Sequence, residues 1–378
     1  MFSTGMTSQA VIPSHKLQLS SDGQFPWIFY TEKKCLLRFY MPWQPFLSVI
    51  PGSVPADLAI KHITCSDISD HWPLKDEVVE QIDDINRQLA NDLSLEAPEI
   101  FLDNQGKRRI RCRNRLSEQA FRFRPALEEW RSQLVPTALA LWAVQHPLAV
   151  RLISGGEMDI NSRSWFIHAN DARGIRSRAK VMAAIADFHL NDRVSVNWIS
   201  LACGAAVPVL NTLHSAKLKS QKFTLLLIDH DRQSLMFARG LATQYGLVEG
   251  QHFQLLMRNL FDRMIVSDKL VQELGEQSAE LVDGLGIFEY FSESEAVHFI
   301  RHALRLVKPG GVLIISNMLK SSPQIEFALR CVGWTTIYPR TLFELREIIL
   351  AAGINLQNVT VTLPSDGVYA VMEINVSE

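Results

Sequence analysis

The sequence predicts an α/β fold built around a mainly parallel sheet, and three observations support this prediction. From about residue 165 onward, strand-like apolar runs alternate with amphipathic helical segments, which is typical of parallel sheets. One of these runs breaks into small residues around Gly204, and the next run ends on Asp229. The last two runs flank an Asp366-Gly367 turn, which predicts an antiparallel hairpin at the end of the sheet.

Residues 1–165 predict a different organisation, with fewer strands and no regular alternation. Apolar residues at helical spacing predict an amphipathic helix early in this region, and Pro136 separates two later helices. Between the first helix and these two, alternating arginines predict a strand with its arginines on one face. In order, the predicted elements are short strands and loops over 25–50, a helix over 74–93, the arginine strand over 107–115, and helices over 126–134 and 137–149. The region is therefore expected to be mixed α/β and mainly helical.

Residues 166–378 carry the regular alternation, and several of their helices have capping signals. Ser292 with Glu295 and Thr341 with Glu344 predict capping boxes, and Asn170 or Asp171 is the expected cap of the first helix. The predicted elements are helix 172–188, strands 194–201 and 223–228, helix 233–245, strands 253–257 and 279–284, helix 293–306, a tight turn over 308–311, strand 312–316, helix 342–352, and hairpin strands 358–363 and 368–376.

Composition argues against several classes of protein. With a formal net charge of −2 over 378 residues, no global field favours nucleic acid or anionic lipid. The five cysteines contain no CxxC pair, which indicates a reducing cytoplasm and argues against a disulfide framework or a zinc site. The longest apolar stretch, 135–153, is interrupted by polar residues and predicts a buried helix rather than a membrane span. We therefore expect a cytoplasmic protein of two domains, 1–165 and 166–378.

Gly204 and Asp229 together indicate a binding site for an adenosine-containing small molecule. A glycine turn lets a ligand approach the backbone closely, and the helix N-terminus that follows offers free N–H groups to an anion. A carboxylate at the end of the next strand can accept both hydroxyls of a ribose. Each residue also has a structural interpretation, Gly204 as a strand-to-helix turn and Asp229 as a helix cap.

Residues 170–378 resemble the class I S-adenosylmethionine-dependent methyltransferases, in a bacterial branch of unassigned substrate. The run 200–206, Ser-Leu-Ala-Cys-Gly-Ala-Ala, corresponds to the acidic-x-Gly-x-Gly-x-Gly loop of that family. Ser200 replaces the acid, and only the middle glycine is kept. Because alanine is the smallest departure from glycine, we expect the loop to stay tight. The segments 284–291 and 308–311 and the terminal hairpin are also similar to those of many bacterial members.

The resemblance implies a Rossmann-like sheet of seven strands that ends in the antiparallel hairpin, an N-terminal cap, and S-adenosylmethionine as the cofactor. Asp229 falls on the family's ribose-binding acid, Asn259 where adenine is often contacted, and Glu280 on the acid of the fourth motif. Arg178 is a candidate contact for the cofactor's carboxylate. The predicted cofactor-binding residues are Ser200, Ala202, Cys203, Gly204, Ala205, Asp229, His230, Asn259, Leu260, Gly284 and Arg178. No metal-ligand cluster stands out, so metal-free chemistry is expected.

Glu289, Tyr290 and His168 are the predicted catalytic residues. Glu289 and Tyr290 follow a strand at the edge where cofactor and acceptor are expected to meet, and Glu289 is the better candidate for a general base. His168 is a second candidate base, with a packed structural histidine as the alternative. Cys203 lies in the predicted cofactor loop and is expected to be a small buried residue rather than a nucleophile.

The predicted function is methyl transfer from S-adenosylmethionine to a small hydrophobic acceptor, at a hydroxyl or carboxyl group of a lipid or natural product. Residues 1–165 would then cover the acceptor pocket. A nucleic-acid methyltransferase is an alternative that only the arginines of 107–115 support. A non-enzymatic regulatory protein that binds the cofactor is a third hypothesis, because the lost glycines and Ser200 suit a weakened site. The sequence leaves the oligomeric state open.

Overall fold

Eight strands form the main sheet in the part of the chain that this computed structural model describes, residues 54–378 without 107, 123, 136, 192, 215–221 and 335. The strands in chain order are β1 (Ala59–Ile63), β2 (Glu99–Leu102), β3 (Arg108–Arg111), β4 (Ser195–Leu201), β5 (Lys222–Asp229), β6 (Phe253–Met257), β7 (Ala279–Gly284), β8 (Val307–Met318), β9 (Val359–Pro364) and β10 (Tyr369–Asn375). The order across the main sheet is β1-β9-β10-β8-β7-β4-β5-β6, and β2 and β3 form a separate hairpin. The strands and loops predicted over 25–50 lie outside the described residues.

The terminal hairpin is the one antiparallel part of the main sheet within the described residues. β10 runs antiparallel to both β8 and β9, whereas the other neighbouring strands are parallel. The predicted fold class is therefore confirmed, with eight strands in place of seven. Because the strands β4, β5, β6 and β7 are parallel, their carboxyl ends meet at one edge of the sheet, which is where α/β folds bind ligands.

Helices cover both faces of the main sheet, and helices also make up much of the chain before β4. They are α1 (Lys75–Asn91), α2 (Arg115–Arg122), α3 (Pro125–Glu129), α4 (Ala140–Gln145), α5 (Ile160–His168), α6 (Asn170–Leu190), α7 (Val207–His214), α8 (Arg232–Gln244), α9 (Lys269–Leu274), α10 (Glu293–Leu306) and α11 (Leu342–Ala351). The capping boxes predicted for α10 and α11 are present. Asp231 caps α8 by accepting the N–H groups of Gln233 and Ser234.

The buried apolar residues fall into two clusters, one on each face of the sheet. One cluster joins α6, α7 and α8 to the N-terminal helices, through side chains such as Met182, Leu210 and Ile82. The other joins α9, α10 and α11 to the opposite face, through side chains such as Phe299 and Leu345. The N-terminal helices therefore share buried surface with the helices that flank β4, and this arrangement brings them to the edge of the candidate site.

β1 is the strand of the main sheet that the sequence analysis did not predict, and β2 of the separate hairpin was not predicted either. β1 lies in the 1–165 region and pairs in parallel with β9, from Ala59 opposite Thr360 to Ile63 opposite Pro364. An edge strand is hydrogen-bonded on one side only, and here its side chains are mostly exposed or half-buried. A segment of five residues with a lysine and a histidine carries little hydrophobic periodicity, so its pairing is decided by the partner strand.

The prediction of a tight turn over 308–311 is wrong. β8 continues through these residues, and the register between β7 and β8 shifts between Ala279 and Leu281. The two glycines make this irregularity possible, because Gly310 has φ +70° and a Cβ on Gly311 would lie 2.7 Å from the carbonyl oxygen of Glu280. The Pro-Gly-Gly sequence thus marks a bulge inside a strand rather than a turn before it.

The arginine strand is also shorter than predicted. β3 ends at Arg111, and Arg115 is the first residue of α2. Arg109 pairs with Asp103 at 2.9 Å, and Arg113 pairs with Glu99 at 2.5 Å. Because these acids pair with the arginines, the hairpin surface does not present one continuous basic face.

Two other helix boundaries differ from the prediction. The helix predicted over 137–149 is reduced to α4, Ala140–Gln145. α6 starts earlier than predicted, at Asn170, and its N-cap position is Ala169, which makes no side-chain cap. Asp171 is buried in the first turn of α6, where its carboxylate accepts the indole N–H of Trp334. The tertiary contact with Trp334 has replaced the local capping role expected of Asp171.

Candidate functional site

The loop after β4 keeps a left-handed backbone at the three positions that are glycines in the resemblance. The φ angles are +51° at Ala202, +54° at Gly204 and +54° at Ala206. Such angles are unfavourable for alanine by about 1–2 kcal/mol each. The loop is held by three hydrogen bonds: Cys203 N–H donates to Ile228, Gly204 N–H to Asp229, and Ala206 N–H to Cys203. Strain of this kind, maintained by the surrounding structure, is characteristic of ligand-binding sites.

We expect Ala202→Gly to stabilise the protein by about 0.5–1 kcal/mol, because relief of the left-handed strain exceeds the entropy cost of glycine. Ala206→Gly should be nearly neutral, since it also removes a methyl group that is 1% exposed. Ala205→Gly is the matched control and should destabilise, because Ala205 has no positive φ to relieve. Urea unfolding of the three variants measures these differences. Equal destabilisation by all three would contradict the strained loop.

Asp229 joins this loop to the end of β5. One carboxylate oxygen accepts the N–H of Gly204 at 2.8 Å, and the other accepts the N–H of Asp231 at 2.8 Å. His230 lies beside it, with its Nδ1 3.4 Å from the same carboxylate, and this contact raises the pKa of His230. Oδ2 keeps a free lone pair after its bond to Gly204, whereas Oδ1 has both the Asp231 N–H and His230 beside it. Asp229 can therefore fix the loop and still accept ligand hydroxyls, with His230 competing at Oδ1.

A cavity of about 860 Å³ opens at the carboxyl edge of the sheet, next to this loop. Twelve of the predicted site residues line it: Ser200, Ala202, Cys203, Gly204, Ala205, Asp229, His230, Asn259, Leu260, Arg178, Glu289 and Tyr290. Residues of the N-terminal region line it as well, among them Phe101, Leu102, Ala138 and Leu141. The cavity is large enough for a nucleoside-sized ligand and a small second molecule.

Gly284 and His168 are predicted site residues that do not line this cavity. Gly284 ends β7 and packs against Phe299, Ile287 and Ile315. His168 is 1% exposed, its Nε2 is 3.3 Å from the carbonyl oxygen of Pro73, and burial lowers its pKa. Neither position can touch a ligand in the cavity without rearrangement.

Asn259 and Leu260 form the wall of the cavity beyond β6. Asn259 closes a local turn by accepting the N–H of Phe261 at 3.1 Å, and its amide donates to Asp262 at 2.9 Å. The side chain is exposed on the cavity side. Its local bonds orient the amide, and ligand contact would use what hydrogen-bonding capacity remains.

Glu289 is a buried carboxylate in an ion pair. One oxygen lies 3.3 Å from Nη1 of Arg178, and the other accepts the N–H of Met318 at 3.1 Å. The Arg178 guanidinium stacks on the ring of Tyr369 at 4.3 Å. Burial raises the pKa of Glu289, and the charge of Arg178 opposes that rise. Burial therefore favours the protonated form of Glu289, while the ion pair with Arg178 favours its carboxylate.

Cys203 is half-buried in the loop, and burial raises the pKa of its thiol, to which the charges of Asp229 and Asp283 add. A buried thiol beside two carboxylates is rarely ionised and is therefore a poor nucleophile. Tyr290 follows Glu289 and is 39% exposed at the cavity. Tyr290 is therefore accessible from the cavity, whereas Glu289 lies deeper.

Asp283 is a cavity-lining acid that the sequence analysis missed. It is 3% exposed, accepts the indole N–H of Trp198 at 2.6 Å and the hydroxyl of Ser200 at 3.1 Å, and burial raises its pKa to about 7. Glu280, predicted as the acid of this motif, lies at the opposite end of β7 and pairs with Lys308 at 2.6 Å. Glu280 lies near the start of β7 and Asp283 three residues later, near its carboxyl end. Because ligands bind at the carboxyl ends of parallel strands, the direction of β7 could have indicated Asp283 instead of Glu280.

Arg108 is a second residue that was not singled out. It is exposed, lines the cavity from β3, and has no acidic partner among the described residues. The other two arginines that line the cavity are paired, Arg178 with Glu289 and Arg258 with Glu273. Arg108 lies near His230, where its charge opposes the rise in pKa that Asp229 causes. It therefore offers a free cation at the cavity mouth.

Metal sites and membrane spans are both absent from the described residues. These residues contain no group of three or more histidine, cysteine, aspartate or glutamate side chains arranged to hold a metal ion. Within the same residues, every helix is too short or too polar to cross a membrane.

Comparison with solved structures bears on the fold. A possible exported protein from Bordetella parapertussis is 15% identical, with a TM-score of 0.52 over 83% of this chain and 100% of its own. The Burkholderia thailandensis 1,6-didemethyltoxoflavin-N1-methyltransferase, solved with S-adenosylhomocysteine, is 17% identical over 55% of this chain and 83% of its own, with a TM-score of 0.37. No family model matches the sequence, and a search of curated proteins finds no match.

The magnesium protoporphyrin IX methyltransferase from Synechocystis PCC 6803, solved with bound S-adenosylmethionine, is 15% identical over 69% of this chain and 97% of its own, with a TM-score of 0.42. The mainly parallel sheet and its terminal antiparallel hairpin are those that the sequence resemblance implies, with eight strands in place of seven. The observed fold is a Rossmann-like, mostly parallel α/β sheet. At identities of 15–17%, these similarities concern the fold alone, and the chemistry has to be argued from the site.

Proposed function

We propose that this protein transfers a methyl group from S-adenosylmethionine to a small, largely apolar acceptor. The observation that carries the proposal is the loop 202–206, whose alanines keep glycine-like backbone angles beside Asp229 and a cavity. That geometry suits a ligand whose ribose reaches Asp229 and whose amino-acid part lies along the loop. The bound donor would supply an electrophilic methyl group on its sulfonium sulfur.

The residues of the site have distinct proposed roles. Asp229 would accept the ribose hydroxyls, and Asn259 and Leu260 would line the part of the site that holds the adenine. The loop from Ser200 to Ala205 would follow the amino-acid part of the donor. Arg178 is stacked and paired, so it would act on Glu289 rather than on the donor's carboxylate. The protein would mainly align the acceptor with the methyl group, a contribution that does not require a metal.

The acceptor pocket is proposed to form between this site and the N-terminal region, which would act as the cap expected from the sequence. Its lining on that side is apolar, from Phe101 and Leu102 of the β2–β3 hairpin and from Leu141. Arg108, the free cation at the mouth, favours an acceptor that carries a carboxylate on an apolar body, within the predicted class of hydroxyl- or carboxyl-bearing lipids and natural products. The four described cysteines are unpaired, which supports a reducing compartment such as the cytoplasm.

Asp229→Ala tests the cofactor assignment. A carboxylate that accepts ribose hydroxyls contributes about 1.5–3 kcal/mol, so S-adenosylhomocysteine should bind about 10- to 100-fold more weakly to the variant. Because Asp229 also fixes the loop, Asp229→Asn is the matched variant: it keeps one acceptor oxygen and should lose less affinity. Calorimetric titration of the folded variants measures both. Unchanged affinity in Asp229→Ala would refute the placement of the ribose.

A further inference from the structure

Asp283 is a buried carboxylate without a cationic partner among the described residues. Its hydrogen-bond donors are the indole of Trp198, the hydroxyl of Ser200 and the backbone N–H of Leu285, all of them neutral. Each of the other two acids at the cavity has a basic side chain beside it: Glu289 is paired with Arg178, and Asp229 lies next to His230. A buried ionised carboxylate is unfavourable unless a positive group accompanies it. Because Asp283 lines the cavity, a bound ligand can bring that group.

The position of Asp283 relative to the loop identifies which part of a ligand it can reach. β4 and β7 are adjacent and parallel, and Ser200 is directly paired with Asp283 in their register. Ser200 lies two positions before Ala202, the first residue of the strained loop, and occupies the place of the acid in the resemblance. The carboxylate absent from β4 is therefore present on the neighbouring strand at the same height, and the Ser200 hydroxyl is bonded to it at 3.1 Å.

We propose that Asp283 binds the α-ammonium group of the methyl donor and of its product, with Ser200 and Trp198 as the residues that orient its carboxylate. This assignment rests on the proposed function, because it takes the donor's amino-acid part to lie along the loop. The ammonium forms a charge-assisted hydrogen bond to Asp283 in a water-poor site, which is among the stronger kinds of protein–ligand contact. The serine in the loop motif is then compatible with full cofactor binding.

The test compares three ligands that differ only in the amino-acid part. S-adenosylhomocysteine carries ammonium and carboxylate, its decarboxylated amine keeps only the ammonium, and 5′-methylthioadenosine lacks both. In Asp283→Asn, we expect the first two to bind about 10- to 100-fold more weakly and 5′-methylthioadenosine to bind as it does to the unaltered protein. Glu280→Gln is the control, on the same strand but outside the cavity, and should leave all three affinities unchanged.

Each other outcome has a clear meaning. Equal weakening of all three ligands in Asp283→Asn would show that Asp283 only supports the loop and would overturn the proposal, as would unchanged binding of S-adenosylhomocysteine. If Asp283→Asn does not fold, the unaltered protein decides: the decarboxylated amine must bind more tightly than 5′-methylthioadenosine, and equal affinities overturn the proposal. If 5′-methylthioadenosine binds but the ammonium adds nothing, the proposal alone fails. If none of the ligands binds, the proposed function fails with it.

Discussion

Replacement of Glu289 by glutamine is expected to lower methyl-transfer turnover by about 10²–10⁴-fold, the usual contribution of a general base. Glu289 lies in the cavity wall with a pKa raised by burial, so its carboxylate is suited to take a proton from an acceptor hydroxyl. Glutamine keeps the shape of the side chain but cannot accept the proton. Single-turnover rates with a saturating acceptor measure the loss, and full activity of Glu289→Gln would contradict the base assignment.

Glu289→Gln also leaves the buried Arg178 guanidinium without its carboxylate, and loss of one partner of a buried pair typically costs about 3–5 kcal/mol of stability. The double variant Arg178→Gln/Glu289→Gln removes both charges and separates the two effects. If Glu289 is the base, the double variant regains stability but stays slow. If Glu289 only neutralises Arg178, the double variant regains activity, and the pH dependence of turnover should then show no group with a raised carboxyl pKa.

The second large effect concerns the stability of the ligand-free protein as pH changes. Burial raises the pKa of Asp283 to about 7, above the value of about 3.9 for an unfolded chain. Between these values the folded state binds the proton more tightly than the unfolded state does, so this group makes the free energy of unfolding fall as pH rises. A shift of this size corresponds to about 4 kcal/mol at most, with most of the loss complete by about pH 7.

Asp283→Asn removes this term, since its amide does not ionise and Ser200 can rotate its hydroxyl to accept the new N–H. Urea unfolding at pH 5 and pH 8 should show a smaller decline in stability for the variant than for the unaltered protein. The contact with Asp229 also raises the pKa of His230, but His230 is present in both proteins and its contribution cancels in the comparison. A decline of equal size in both would contradict the assignment of a raised pKa to Asp283.

Much of the fold can be predicted from local patterns in the sequence. The capping boxes at Ser292 and Thr341 and the strand run before Gly204 each combine a local signal with a clear hydrophobic period. These signals place the elements along the chain, and right-handed crossovers between parallel strands leave few ways to assemble them. The loop positions of the candidate site could be predicted for the same reason.

The rest depends on contacts between distant residues, which local patterns do not encode. β1 forms because β9 offers a free edge, and Asp283 becomes a cavity residue because β7 lies beside β4. Arg108 is distinguished from neighbouring Arg109 only by its lack of an acid, since Asp103 pairs with Arg109. His168 looks like a candidate base in sequence, but the packing of α5 buries it away from the cavity.

Titration of the unaltered protein with S-adenosylhomocysteine tests the central claim most directly, because it requires no knowledge of the acceptor. NAD⁺ is the control ligand, since it carries the same adenosine but no amino-acid part. We expect S-adenosylhomocysteine to bind at one site per chain, and NAD⁺ to bind far more weakly. Absence of binding by S-adenosylhomocysteine, or preference for NAD⁺, would contradict the assignment of this site to a methyl donor.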